Sequence, residues 1–155
     1  MKPNTSELSF TRQFTLPPAK LWYLLTDPKM REIWGAPSED ATLVVEEASE
    51  LSEGGYERHR CGPKDNPEFV VETRWYSLQD SELATFTETL LTGGHRIFTT
   101  LVTYGLTPVK TGTRLDIEIA ISGFSDEDMR ADIEEGWTAG LATLDKLAAR
   151  EDANA

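Results

Sequence analysis

The sequence predicts an α+β protein in which a curved antiparallel sheet of about seven strands wraps around a long C-terminal helix, with two short helices after the first strand. Three observations predict it. Residues 42–123 alternate apolar and polar side chains with period two, broken by turn formers at hairpin-like intervals. Residues 125–150 switch to helical periodicity with a single apolar stripe. The connections between the strands are short, and parallel neighbours need long crossovers, so the pairing is antiparallel. A sheet with one apolar face must cover it, and only one long amphipathic helix is available to do so.

The elements follow in order. Leu8, Phe10, Gln13 and Phe14 lie in a Thr-rich first strand that Pro17-Pro18 ends. Proline suits the first turn of a helix, and residues 20–26 carry Leu21, Trp22, Leu24 and Leu25 at helical spacing. Pro28 interrupts that helix, and a second short one covers residues 29–34. Strands are predicted over residues 42–47, 56–61, 69–77, 83–91, 96–106 and 113–122. Gly, Pro, Asn and Asp punctuate the gaps, as in Glu53-Gly54-Gly55, Thr92-Gly93-Gly94 and residues 62–67. In the last strand Leu115, Ile117, Ile119 and Ile121 share one face against Asp116, Glu118 and Ala120. Ser125 is the expected N-cap of the final helix, with Asp128 completing a capping-box variant and Phe124 stapling to Met129. Its stripe is Met129, Ile133, Trp137, Gly140, Leu144 and Leu147, flanked by Leu141 and Ala148, and residues 151–155 are expected to fray.

Composition bounds the function. The 155 residues predict one domain, 1–155 with its core at about 7–150, large enough to bury about two-thirds of its unfolded surface. Lys and Arg number 15 against 27 Asp and Glu, a formal net charge of −12. Nucleic acid and anionic membranes need a basic face, so neither is expected as a partner. The acidic runs at residues 39–53 and 126–135 read as a solvated surface. The first six residues lack the apolar stretch of a signal peptide, so the expected location is cytoplasmic. The lone Cys61 excludes an internal disulfide.

Several local patterns coincide with one known family. They are Phe14-Thr15-Leu16-Pro17-Pro18-Ala19-Lys20-Leu21-Trp22, then Thr26-Asp27-Pro28 with Trp34 following, and Glu53-Gly54-Gly55 before a strand holding Arg58 and Arg60. Gly112-Thr113-Arg114-Leu115 and the Gly136-Trp137 pair, backed by Leu141, Leu144 and Leu147, complete the set. Over nearly its whole length the chain resembles the START-like, helix-grip (SRPBCC) superfamily, in the branch of activator-of-heat-shock-protein-ATPase homologues. The resemblance implies the helix-grip fold and a cavity between sheet and helix. It does not imply a reaction, because the fold hosts carriers, cyclases, hydrolase-like enzymes and co-chaperone domains.

Facing can be argued for residues 56–61. Tyr56, Arg58 and Arg60 share one side, and Glu57, His59 and Cys61 the other. Two arginines are costly to bury and cysteine is often buried, so Glu57 and His59 turn inward. The family's corresponding positions tend to be large and apolar, so this chain departs from the pattern with a carboxylate and an imidazole. The same reasoning turns Phe69, Val71, Thr73 and Trp75 inward, then Phe86, Glu88 and Leu90, with Tyr104 nearby.

Glu57 and His59 are thus the catalytic candidates, as a proton-transfer pair or as orienters of a ligand. The blander expectation, and the favoured one, leaves both partly solvated at the sheet rim. A metal site of Glu57, His59 and Cys61 has suitable ligand types but no familiar spacing, so no metal or cofactor is predicted. Cys61 and His59 are parallel neighbours on one strand, poorly aimed as a nucleophile and base. His95 belongs to a solvent-exposed turn. Trp22 and Trp137 read as core. Trp34 resembles a residue at the family's cavity mouth, and it joins Trp75 as the expected aromatic ligand contact.

Gly136 and Gly140 lie four apart inside a helix, where each costs about 1 kcal/mol relative to Ala. The simpler reading is close packing of helix on sheet; the functional one is room for a guest. The expected ligand-binding set is Trp34, Glu57, His59, Thr73, Trp75, Phe86, Glu88, Tyr104, Gly136 and Gly140. The expected partner is a small hydrophobic or amphipathic molecule. A cyclase- or hydrolase-like enzyme in the same cavity, or the chaperone-activating interaction that the resemblance implies, is the alternative. A homodimer is compatible with the architecture, although no sequence feature demands one.

Overall fold

The computed structural model describes residues 1–154. Seven strands form one antiparallel sheet: β1 (Asn4–Phe14), β2 (Ala41–Ala48), β3 (Tyr56–Pro63), β4 (Phe69–Gln79), β5 (Leu83–Thr92), β6 (His95–Val109) and β7 (Gly112–Gly123). Their order across the sheet is β1-β7-β6-β5-β4-β3-β2. The strands from β2 to β7 run as a meander, while β1 and β2 occupy opposite edges. The segment joining those edges must span the sheet, and it holds α1 (Pro18–Thr26) and α2 (Pro28–Trp34). The helix α3 (Arg130–Ala153) lies across one face of the sheet, its concave side. This is the α+β helix-grip architecture that the sequence predicts.

Local chemistry explains most boundaries. Pro28 does not merely interrupt a helix; it opens the next one. Asp27 closes α1 and caps α2, its Oδ2 accepting from the backbone N–H groups of Lys29 (3.1 Å) and Met30 (3.2 Å). Gly112 takes a positive φ of 146° in the β6–β7 turn, where a Cβ would collide with the Phe14 carbonyl. Beside it, the Thr113 hydroxyl donates to the Leu16 carbonyl at 2.8 Å, fixing the exit of β1. β1 begins at Asn4 rather than near Leu8, because it pairs with β7 along its full length, from Asn4 opposite Gly123 to Phe14 opposite Thr113.

The start of α3 differs from expectation. Its N-cap is Met129, not Ser125; Met129 makes no side-chain cap, and Asp128 Oδ1 instead accepts from the Arg130 N–H at 3.0 Å. Residues 124–129 are committed elsewhere. Phe124 N–H pairs with the Ile97 carbonyl, and the Asn4 side-chain amide donates to the carbonyls of Ser125 and Glu127. Phe124 is therefore exposed and makes no staple, and Met129 packs against the core by itself. The C-terminus does not fray at residue 151. The helix runs to Ala153, and Thr15 donates to Asp152 Oδ2 at 2.8 Å.

Toward β7 the core is aliphatic. Leu115, Ile117 and Ile119 meet Leu141, Leu144 and Leu147 of α3, and Leu21, Leu24 and Leu25 of α1, all buried. Among the described residues no helix is long and apolar enough to cross a membrane.

Candidate functional site

The N-terminal half of α3 does not close on the sheet. Between it, α2 and the concave faces of β3–β6 lies a cavity of about 410 Å³. Its wall is predominantly apolar, with Arg31, His59, Cys61, Glu88, Thr100, Tyr104 and Asp132 as the polar and titratable members. Four aromatic rings run along it in sequence. Trp75 lies 4.7 Å from Phe86, Phe86 5.2 Å from Tyr104, and Tyr104 6.3 Å from Trp137, centroid to centroid. Trp137, expected in the core, is half-buried and belongs to this wall, stacking at 6.5 Å on Phe10. Trp34 is buried on the wall as well, its indole N–H donating to the Leu24 carbonyl at 2.8 Å. Trp22 is core, as expected.

Register puts a polar row across the concave face. Glu57 of β3 stands opposite Thr73 of β4, Thr73 opposite Glu88 of β5, and Glu88 opposite Thr100 of β6. Apolar side chains dominate the rows on either side: Trp75, Phe86 and Val102 on one, Val71, Leu90 and Phe98 on the other. Glu57 is 2% exposed, His59 4%, Thr73 1% and Thr100 2%, so the favoured expectation of a solvated rim position for Glu57 and His59 is corrected. Arg58 and Arg60 face outward, as argued, and pair with Glu46 on the convex side.

What keeps a carboxylate buried is a residue that sequence reasoning missed. Arg31 of α2 forms a buried ion pair with Glu57 Oε1 and holds its guanidinium 5.9 Å from the Trp75 ring centroid. Glu57 Oε2 lies 3.9 Å from His59 Nδ1. Burial pushes the Glu57 carboxyl up, but the hydrogen bond from Arg31 and the nearness of Arg31 and His59 outweigh it, and its pKa falls below the ordinary carboxylate value. A signal for Arg31 existed. A carboxylate turned inward requires a cation, and Arg31 sits one turn before Trp34 on the helix face that the resemblance assigns to the cavity.

Glu88 behaves in the opposite way. It is half-buried on the cavity wall, and no hydrogen bond or ion pair reaches its carboxylate among the described residues. Burial raises its pKa, an effect that the charges of His59 and Arg31 reduce and that of Glu57 reinforces. The Cys61 thiol is raised to about 11 by burial and by Glu88, which leaves it protonated and a poor nucleophile. Burial, aided by Glu88, also raises the Tyr104 phenol.

The expected ligand set divides accordingly. Trp34, His59, Trp75, Phe86, Glu88, Tyr104, Gly136 and Gly140 line the cavity. Glu57 and Thr73 do not; they lie behind the wall in the polar row. The two helix glycines also part company. A Cβ on Gly140 would lie 3.4 Å from the Trp34 carbonyl oxygen, so that glycine permits close packing, against α2 rather than the sheet. A Cβ on Gly136 would find only Pro37, at 3.9 Å, and this position opens on the cavity. His95 is exposed at the start of β6, and among the described residues no three His, Cys, Asp or Glu side chains group as a metal site.

The family model described as "Activator of Hsp90 ATPase homolog 1-like protein" matches residues 15–149. The chain belongs to that family. No curated protein matches its sequence. Among solved structures, a putative uncharacterized protein of Rhizobium leguminosarum is similar in fold, with a TM-score of 0.82 at 16% identity over 96% of this chain and 97% of that one. Mll3558 of Rhizobium loti gives 0.80 at 21% identity, covering 94% and 99%. MLL2253 of Mesorhizobium loti gives 0.66 at 25% identity, covering 94% and 98%. Within the Hsp90 ATPase activator-like family, these likenesses support the helix-grip fold and leave the contents of the cavity to its own residues.

Proposed function

We propose that this chain is a small-molecule binding domain holding a hydrophobic or amphipathic ligand between the sheet and the N-terminal half of α3. The observation that carries this reading is the cavity itself: about 410 Å³, walled by aromatic and aliphatic side chains with a few polar groups among them. That combination of volume, apolar lining and sparse polar contacts is what small-molecule sites use. The alternatives of the sequence reading weigh less. Glu57 is committed to Arg31 and stands off the wall, which removes the simplest general base. The family's name speaks for a chaperone-activating interaction, which has no comparable cavity-scale observation behind it.

Native mass spectrometry of freshly purified protein, followed by solvent extraction, tests the proposal. A discrete additional mass that extraction removes is the expected result. Gly136→Trp should abolish it with the fold intact by circular dichroism, because the new side chain enters open space rather than backbone. Retention of the extra mass by that variant would place the ligand elsewhere.

A further inference from the structure

We propose that the cavity selects organic cations, namely amines carrying an aromatic or alkyl body, with Glu88 as the counter-ion of the ammonium group. This deepens the binding reading above and rests on it.

The carboxyl groups at the cavity are not equivalent. Glu57 has Arg31, and the two form a neutral buried unit, Arg31 on the wall and Glu57 behind it. Glu88 faces the cavity with no partner among the described residues. Asp132, exposed on the first turn of α3, adds a second carboxylate where the cavity meets solvent, and it too makes no ion pair there. Ionising a half-buried carboxyl without a partner is costly, so a ligand that brings the opposite charge gains by stabilising the ionised form of Glu88. An anionic head would meet Glu88 and Asp132, while the charge of the Arg31 guanidinium is already balanced by Glu57, even though its Nε–H has no acceptor.

Two independent features point to the same chemistry. The Thr100 hydroxyl, directly across the register from Glu88, is on the wall, 2% exposed and without a hydrogen-bond partner, so an oxygen acceptor stands ready beside the carboxylate. An ammonium group has three donors to satisfy. The continuous series Trp75, Phe86, Tyr104 and Trp137 lines the same space, and aromatic rings attract cations over their faces, as Trp75 already does the Arg31 guanidinium 5.9 Å from its centroid. The net charge of −12 adds long-range attraction for a cation.

The test is isothermal titration calorimetry at physiological salt with three probes of matched shape: 4-phenylbutylamine, 4-phenylbutanol and 4-phenylbutyrate. The amine should bind about tenfold more tightly than the alcohol, or better, with the carboxylate weakest. Glu88→Gln should remove the amine's advantage and leave the alcohol's affinity within about twofold; retained alcohol binding also reports that the variant is folded. Thr100→Val should cost amine affinity by a smaller factor. Equal binding of amine and alcohol by the unaltered protein, or an amine preference that survives Glu88→Gln, would overturn the assignment while leaving the binding reading standing. Failure of all three probes to bind would instead overturn the binding reading, and this inference with it.

Discussion

The two halves of α3 lie on the same sheet and do different work. From Gly140 onward the helix is sealed: Leu141, Leu144, Leu147 and Ala148 are buried against β7, β6 and α1, and Gly140 lets α2 approach. From Arg130 to Gly136 only Ile133 is buried, and the space beneath it is open. The sheet mirrors this division. Toward β7 its concave face is aliphatic, while toward β3 it carries Glu57, Thr73, Glu88 and Thr100 in a row. One half of the molecule holds the fold together. The other spends packing on a polar, partly empty interior, which is where proteins place function at the expense of stability.

Substitutions can break or sharpen this contrast. Arg31→Met should have the largest effect, destabilising the protein by about 3–5 kcal/mol in chemical denaturation, because it strands a buried carboxylate. Adding Glu57→Leu should recover most of that loss; failure to recover would mean that the pair does more than neutralise itself. Leu144→Ala in the sealed half should cost about 3 kcal/mol by leaving a cavity among aliphatic neighbours. Gly136→Ala in the open half should instead raise stability by up to about 1 kcal/mol, since a Cβ meets nothing closer than Pro37 and helix propensity improves. A loss at both positions would erase the distinction between the halves.

The smallest effect separates the two carboxyl groups of the polar row by pH. The Glu57 pKa is lowered on folding, so its stabilising contribution is present above the ordinary carboxylate value and fades as pH falls through the folded one. The Glu88 pKa is raised, so the folded state is favoured while the group is protonated, and that advantage is lost as pH rises through the folded value. Glu88→Gln should therefore raise the Tm at about pH 8, with the gain shrinking toward about pH 4. Glu57→Gln should lower the Tm at about pH 8, with the loss shrinking on acidification. Parallel pH dependences for the two variants would contradict the opposed environments described here.

Much of this molecule is written locally. Alternation gave the strands, Pro18 and Pro28 marked two helix starts, and the placement of Arg58 and Arg60 on one side of β3 turned Glu57 and His59 inward. Those facings follow from side-chain period alone, which needs no partner element. The capping of α3 was not legible in the same way. Ser125 has the right residue type, yet its neighbours' backbone groups are bonded to Asn4 and Ile97, residues remote in sequence.

The sequence by itself therefore determined the order of the elements, the helix-grip architecture and which side chains of each strand face in. The tertiary structure alone decided that Arg31 meets Glu57, that Glu88 meets no partner among the described residues, and that Gly136 and Gly140 serve opposite ends. The physical reason is that periodicity fixes direction but not distance. Whether an inward carboxylate is paired, orphaned or beside an empty volume depends on groups brought from other elements, and only the packed chain sets those separations.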